Sequence, residues 1–351
     1  MVTVRSMITP SKPKPGDRVA IVSPSAGLPG LFPRPYELGL RRLRDDFGLV
    51  PVEYPTTRVM GAAPADRAAD LHAAFADPTI TAVITSIGGD DQITVLRHLD
   101  AELMRANPKL FFGYSDNTNV LAYLHSLGIA GCYGGAVMTA FGRSAAMHPV
   151  TAASLRAALF TSGPYELPQV WAYSDVDQPE WVDPEFDTRE PPQLPCDGWS
   201  WHNADRVVEG ESWGGCLEIV SWLLMADRAV GPPERYTGGV LLLETSEEMP
   251  SSDEVYRVLR NMGERGLLQQ FPAALIGRAK GWSIDRRTTP AERAAYVAGQ
   301  RQAVLHAFGE YAPDTMIVFD VDFGHTDPQV VIPYGGRVRV DGPAGTITVT
   351  Y

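Results

Sequence analysis

The first 160 residues alternate between strand-like apolar runs and segments with helical spacing. Strand patterns occur at 18–25 (RVAIVSPS), 50–54, 81–89 (TAVITSIGG), 109–115 (KLFFGYS) and 129–135. Helix patterns separate them, at 35–47, 64–78, 92–106 and 117–128. Because the strands alternate with helices, we predict an α/β fold whose N-terminal part is a flavodoxin- or Rossmann-like parallel sheet with helices on both faces.

The pattern is lost between 164 and 212, where the chain is rich in Pro, Trp and acidic residues. Four of the seven tryptophans lie there, namely Trp171, Trp181, Trp199 and Trp201. Disordered linkers are poor in aromatic residues, so we expect an ordered segment packed beside a site. Ordinary packing between domains would explain these tryptophans equally well.

The remaining residues predict a second α/β unit that ends in small antiparallel strands. A helix is predicted at 214–225, and strands are predicted at 238–245, 273–280 and 315–324. Capping boxes at Ser251–Glu254 and Thr289–Glu292 mark the starts of two further helices. We therefore divide the chain into an N-terminal domain at 1–163, a Trp- and Pro-rich linker or flap at 164–212, and a C-terminal domain at 213–351.

A candidate nucleophile follows the strand at 109–114. Ser115 and Asp116 come directly before a helix, and Gly113 permits a sharp turn, as in a nucleophile elbow. The helix N-terminus would then supply free N–H groups for an oxyanion. Asn117 departs from the usual G-x-S-x-G pattern, and the alternative is that Ser115 or Asp116 only caps the helix.

A base and an orienting acid are also found after apolar strands. His325 lies in the loop G-H-T-D-P, whereas His72, His98, His125 and His306 fall within predicted helices and His148 and His202 lie in other loops. Glu244 ends the strand VLLLE, where a carboxylate needs a partner. The structural alternatives are a turn histidine bonded to a carbonyl and a strand-end glutamate that caps the next helix or pairs with an arginine. Glu247 and Glu248 are expected in a solvated loop.

Composition narrows the classes of function. The net charge of −12 argues against nucleic acid or an anionic membrane surface as partner, and no apolar run is long enough for a membrane helix. Three widely spaced cysteines and the lack of a secretory leader pattern favour a cytoplasmic protein. Neither H-E-x-x-H, C-x-x-C nor G-x-G-x-x-G is present, so no metal and no organic cofactor are expected.

Several blocks resemble serine peptidase family S66, which contains the LD-carboxypeptidases of murein recycling and the microcin C immunity peptidases. The most specific are FFGYSDNTNVLAYLHSLGIAGCYGG (111–135) and DFGHTDP (322–328). KPGDRVAIVSPSAG (14–27), SIGGDDQITVLRHLD (86–100), WGGCLEIVSWLL (213–224) and LLLETSEE (241–248) also match in order. The resemblance implies Ser115 as nucleophile, His325 as base and Glu244 as orienting acid. It also implies an oxyanion hole from the N–H groups of Gly89 and Asp116, and a homodimer.

Two features favour the immunity branch, which cleaves a peptidyl- or aminoacyl-nucleotide amide bond. The glutamate block reads E-T-S-E-E where carboxypeptidases more often read L-E-D, and the Trp-rich segment is long. The resemblance implies base stacking on an aromatic side chain of this segment, with Trp181, Trp199 and Trp201 as candidates. Cys216 stands where the family frequently has Asn.

Two alternatives to that substrate remain open. A murein tetrapeptide LD-carboxypeptidase would need a cation for the terminal D-alanine carboxylate, and Arg278 is the candidate. A non-catalytic small-ligand binding protein would also fit two α/β domains around a cleft.

Overall fold

A computed structural model describes residues 7–351 of the chain. Its first sheet is built on five parallel strands, which are β1 (Arg18–Val22), β2 (Val50–Glu53), β3 (Ile80–Thr85), β4 (Leu110–Gly113) and β5 (Gly131–Tyr133). Their spatial order is β2-β1-β3-β4-β5, the order of the flavodoxin type. The predicted α/β class with an N-terminal parallel sheet is therefore confirmed.

Helices pack against this sheet because its strands are apolar on both faces. β4 is buried at every position, and the helices are α1 (Pro33–Asp45), α2 (Pro64–Ala76), α3 (Ala101–Ala106), α4 (Thr118–Ser126) and α5 (Pro149–Phe160). The single helix predicted at 92–106 is wrong. Two 3-10 turns come first, and α3 then starts at its own N-cap, where the Asp100 carboxylate accepts from the N–H groups of Glu102 and Leu103.

The second sheet has a parallel centre and antiparallel edges. The parallel strands are β10 (Val207–Cys216), β11 (Val240–Glu244), β12 (Ala273–Gly277) and β13 (Met316–Val321), connected by α6 (Leu217–Ala226), α7 (Ser252–Glu264) and α8 (Pro290–Tyr311). The antiparallel strands are β6 (Pro164–Glu166), β9 (Ser200–His202), β15 (Arg337–Asp341) and β16 (Thr346–Thr350). Both predicted capping boxes form, at the starts of α7 and α8.

The helix predicted to begin at residue 214 begins instead at Leu217. Gly214 and Gly215 belong to β10, with φ values of 133° and 114°, and they pair with Leu242 and Leu243 of β11. An added Cβ at Gly214 would lie 1.9 Å from the carbonyl oxygen of Leu242. The glycine pair thus permits close strand pairing and does not open the helix.

The segment 164–212 is ordered and contributes to the second sheet through β6 and β9. It also forms a small hairpin of β7 (Ala172–Tyr173) and β8 (Leu194–Pro195). Conversely, β14 (Ile332–Tyr334) leaves the C-terminal part and pairs antiparallel with β5. The boundaries at 163 and 212 remain a prediction, and β10 spans the second of them. Within residues 7–351, no helix is both long and apolar enough to cross a membrane.

Candidate active site

Ser115 lies at a strained turn immediately after β4. Its φ is 61°, in the left-handed region that non-glycine residues avoid, and a 3-10 turn at Ser115–Asn117 leads into α4. A Cβ added at Gly88 would lie 3.0 Å from Ser115 Oγ, so Gly88 leaves room for the hydroxyl. The chain therefore presents Ser115 as a nucleophile elbow does.

The alternative that Ser115 or Asp116 only caps α4 is not supported, because no side-chain cap is found at the start of α4. The fully buried Asp116 carboxylate instead accepts from Gln92 N at 2.9 Å, from Asn119 Nδ2 at 2.8 Å and from the Ser25 hydroxyl. Burial raises the pKa of Asp116 to about 6. Through these hydrogen bonds the Asp116 carboxylate stabilises the turn that carries Ser115.

The predicted oxyanion donors flank Ser115. Gly89 lines the cleft that contains Ser115, and the Asp116 amide directly follows it. Within residues 7–351, neither amide N–H is among the donors of the turns, loops and caps that bond a backbone carbonyl. Their role as oxyanion donors stays a prediction.

His325 and Glu244 meet at the carboxyl ends of β13 and β11. His325 Nδ1 lies 2.6 Å from Glu244 Oε2, and the two side chains are 7% and 0% exposed. The other carboxylate oxygen, Glu244 Oε1, accepts from the Tyr133 hydroxyl at 2.5 Å. The buried strand-end carboxylate thus has two partners, and the imidazole is held by the nitrogen that faces away from the cleft.

Two glycines make room for Glu244. A Cβ added at Gly277 would lie 2.5 Å from Glu244 Cβ, and one added at Gly324 would lie 2.5 Å from Glu244 Oε2. Gly324 also has a φ of 96°, which favours glycine. The glycine of the G-H-T-D-P loop is therefore needed both for its conformation and for space.

Charges around the imidazole determine its protonation. Burial opposes protonation, but the carboxylates of Glu244 and Glu247 outweigh burial and raise the pKa of His325 to about 9. The second carboxylate is close, since Glu247 Oε2 lies 3.3 Å from His325 Nε2. The two carboxylates thus favour the cationic form of the imidazole while Glu247 stays in place.

Ser115 and His325 line one cleft of about 540 Å³, a size typical of small-molecule sites. Among residues 7–351, no hydrogen bond joins Ser115 Oγ to His325, whose Nε2 faces Glu247. Aromatic and apolar side chains form much of the wall, namely Leu28, Phe32, Tyr114, Trp181, Val182, Trp282 and Ile284. Serine, histidine and acid are therefore grouped, with Glu247 on the nitrogen that would face the serine.

The other predicted binding residues divide into two groups. Trp181 lines the cleft and packs edge-on against Phe32 at 5.3 Å. Trp201 lies on β9 and Trp199 immediately precedes it, both outside the residues that line this cleft, and Trp199 donates to buried Asp322 at 3.1 Å. Arg278 also pairs with Asp322, at 3.1 Å, and lies outside the cleft lining.

Sequence reasoning missed four residues at this site. Tyr133 hydrogen-bonds Glu244, and Glu247, which is exposed as expected, also contacts His325. Trp282 and Lys280 line the cleft from the loop after β12. Their positions in the sequence could have indicated two of them, because Tyr133 ends β5 and Lys280 lies shortly after β12. No group of three or more His, Cys, Asp or Glu in the described chain is arranged to hold a metal ion.

Comparisons with known proteins identify the family. The LD-carboxypeptidase N-terminal domain (peptidase S66) matches residues 19–134, and the C-terminal domain matches 209–340. A Streptomyces coelicolor protein named as a carboxypeptidase is 29% identical over 99% of this chain and 97% of its own length. The microcin C7 self-immunity protein MccF of Escherichia coli is 24% identical over 81% of this chain and 78% of its own.

Solved structures agree in fold. An MccF-like protein from Streptococcus pneumoniae in complex with AMP superposes with a TM-score of 0.81 at 23% identity, covering 95% of this chain and 99% of the other. MccF in complex with aspartyl sulfamoyl adenosine gives 0.82 at 21% identity, covering 98% of both chains. Fold and family together define a peptidase-type hydrolase. The chain belongs to the LD-carboxypeptidase family, peptidase S66.

Proposed function

We propose that this protein cleaves an amide bond through an acyl-enzyme formed on Ser115. His325 is the general base and Glu244 orients it through Nδ1. The observation that carries the proposal is the 2.6 Å contact between buried Glu244 and His325, in the cleft that also contains the strained Ser115. Such a grouping supports nucleophilic catalysis better than a binding role, because a binding protein has no need of a buried acid behind a histidine.

The reaction proceeds in two balanced halves. Ser115 Oγ attacks the carbonyl carbon while His325 Nε2 accepts its proton, and the N–H groups of Gly89 and Asp116 stabilise the oxyanion. His325 then donates that proton to the leaving nitrogen, which breaks the C–N bond and leaves the acyl group on Ser115. Water attacks this ester with His325 again as base, which frees the acid and restores the serine.

We propose a peptidyl- or aminoacyl-nucleotide as the substrate. Trp181 and Trp282 give the cleft two indole rings beside an apolar wall, and stacking of a base on an aromatic ring contributes about 1–3 kcal/mol. The structural neighbours named above bind AMP and an aminoacyl sulfamoyl adenosine. A murein tetrapeptide is disfavoured, since Arg278 is paired with Asp322 and Lys280 with Asp175 at 3.2 Å.

The test is hydrolysis of an aminoacyl sulfamoyl adenosine and of a murein tetrapeptide by the purified protein. We expect turnover of the nucleoside substrate, no turnover by Ser115→Ala or His325→Ala, and normal turnover by Ser126→Ala. Ser126 is a matched control because it is exposed at the end of α4 and its hydroxyl bonds only its own helix, at Tyr123 O.

Labelling by a fluorophosphonate separates an enzyme from a binding protein. We expect the adduct on Ser115 in the wild type, the same adduct in Ser126→Ala, and none in Ser115→Ala. Retained turnover in Ser115→Ala would refute the mechanism, and release of D-alanine from the tetrapeptide alone would refute the substrate while leaving the mechanism intact.

A further inference from the structure

The second contact of His325 is unusual for a catalytic imidazole. Glu247 Oε2 lies 3.3 Å from Nε2, the atom that must accept the proton of Ser115. The Glu247 side chain is 59% exposed, whereas Glu244 on the other nitrogen is fully buried. Glu247 is therefore a solvent-exposed carboxylate at the reacting end of the imidazole, and it must move before the serine can be deprotonated.

The charges of the cleft leave Glu247 without a fixed alternative cation. Glu180, Glu247 and Asp285 line the cleft, and Lys280 is the one Lys or Arg among the described residues that line it. Lys280 pairs with buried Asp175 at 3.2 Å. Because Lys280 is already paired, a positive charge on the ligand supplies the free partner for Glu247 when it leaves His325.

The distance between the attacked carbonyl group and Glu247 determines which amine of the ligand can pair with this carboxylate. In the attacked complex the carbonyl carbon lies about 3 Å from Ser115 Oγ, which itself lies about 3 Å from Nε2. The α-nitrogen of the residue that bears this carbonyl is two bonds from the carbon, so it falls close to the place that Glu247 occupies. The amine of a lysine side chain is four methylenes further out.

We propose that Glu247 is a specificity-determining residue that binds the free α-ammonium group of the residue whose carbonyl is attacked, and that it pairs with His325 while the cleft is empty. This inference rests on the proposed function and narrows its substrate to an aminoacyl group with a free amine. A peptide whose scissile residue is N-acylated, such as the murein tetrapeptide, lacks the charge that draws Glu247 away.

Binding would also activate the base. His325 is faced by Glu244, Glu247, Glu218 and the ring of Tyr114, and Glu247 is faced by Lys280 as well. Burial opposes protonation of the imidazole and the carboxylates favour it. Transfer of Glu247 to an ammonium group therefore lowers the pKa of His325 and frees Nε2 to accept the serine proton.

Binding to Ser115→Ala tests the selectivity without turnover. Calorimetry compares alanyl sulfamoyl adenosine with its N-acetyl counterpart, and we expect the free amine to bind about tenfold or more tightly, as for a charge-assisted pair. In Ser115→Ala/Glu247→Gln the two ligands should bind within about twofold of each other. Ser115→Ala/Glu180→Gln is the matched control, since it removes a carboxylate of the same cleft and should keep the preference.

A second measurement determines the pKa of the His325 imidazole. NMR titration of His325 in Ser115→Ala should give a lower pKa in the presence of saturating alaninamide, no change with N-acetylalaninamide, and no change with either in the Glu247→Gln variant. Equal binding of the paired nucleoside ligands, or a pKa unaffected by alaninamide, would overturn the inference.

The two proposals fail in different ways. Hydrolysis of both the free and the N-acetylated substrate at equal kcat/KM would sustain the proposed function and refute the role of Glu247. A response to alaninamide without hydrolysis of any nucleoside substrate would sustain the role of Glu247 and refute the proposed substrate.

Discussion

Replacement of Glu244 by Gln changes one atom of the proposed triad and keeps its size. Tyr133 would still donate to the side-chain oxygen, which turns the new NH₂ group toward His325 Nδ1. Nδ1 must then accept, so the neutral imidazole carries its proton on Nε2 and cannot take one from Ser115. Loss of the correct tautomer costs about 10⁴-fold in kcat in a serine triad, and we expect a loss of that order at pH 7.

The same variant has a measurable effect on stability. The pKa of His325 is about 9, against an ordinary value of about 6.5, so its carboxylate partners contribute about 3 kcal/mol of pH-dependent stability after the opposing effect of burial. Because the folded-state pKa is raised, this contribution is fully present below about pH 6.5 and is lost as the pH rises through about 9. Glu247 shares it, so we expect Glu244→Gln to lose roughly 1–3 kcal/mol at pH 6 and much less at pH 9.5.

Urea unfolding of the wild type and Glu244→Gln at pH 6 and pH 9.5 measures this difference, with kcat from the nucleoside assay at pH 7. Glu166→Gln is the control, because it removes an exposed carboxylate on β6 that is distant from Glu244 in the sequence. A kcat within about tenfold of the wild type would refute Glu244 as the orienting acid. A stability difference independent of pH would refute its coupling to the charge on His325.

Four further outcomes are expected. Ser115→Gly should abolish hydrolysis yet raise the free energy of unfolding by up to about 1 kcal/mol, because glycine relieves the left-handed φ. Gly277→Ala should lower stability by about 1–3 kcal/mol and reduce kcat, since its Cβ would displace Glu244, whereas Gly309→Ala, with open space around it, should do neither. Trp181→Ala should weaken nucleoside binding about tenfold without affecting a substrate that lacks the base. Light scattering should give twice the chain mass if the homodimer prediction holds.

Local patterns determined much of the fold. Apolar runs predicted the five parallel strands of the first sheet and β11, β12 and β13 of the second, but not β6, β9 or β10. The capping boxes at Ser251 and Thr289 marked the starts of α7 and α8. Both signals depend on neighbours within a turn or a strand, which the sequence contains directly. The position of Ser115, Glu244 and His325 at or after the ends of predicted strands also indicated the site, because parallel strands bring the residues at their carboxyl ends to one edge of the sheet.

Only the tertiary structure decided which side chains share the cleft. Glu244 and Glu247 are three residues apart, yet one is buried on Nδ1 and the other exposed on Nε2. Arg278 follows β12 and Trp199 directly precedes β9, but buried Asp322 binds both. Such choices depend on how the two sheets pack and on competing partners distant in the chain, and neither has a local sequence signal.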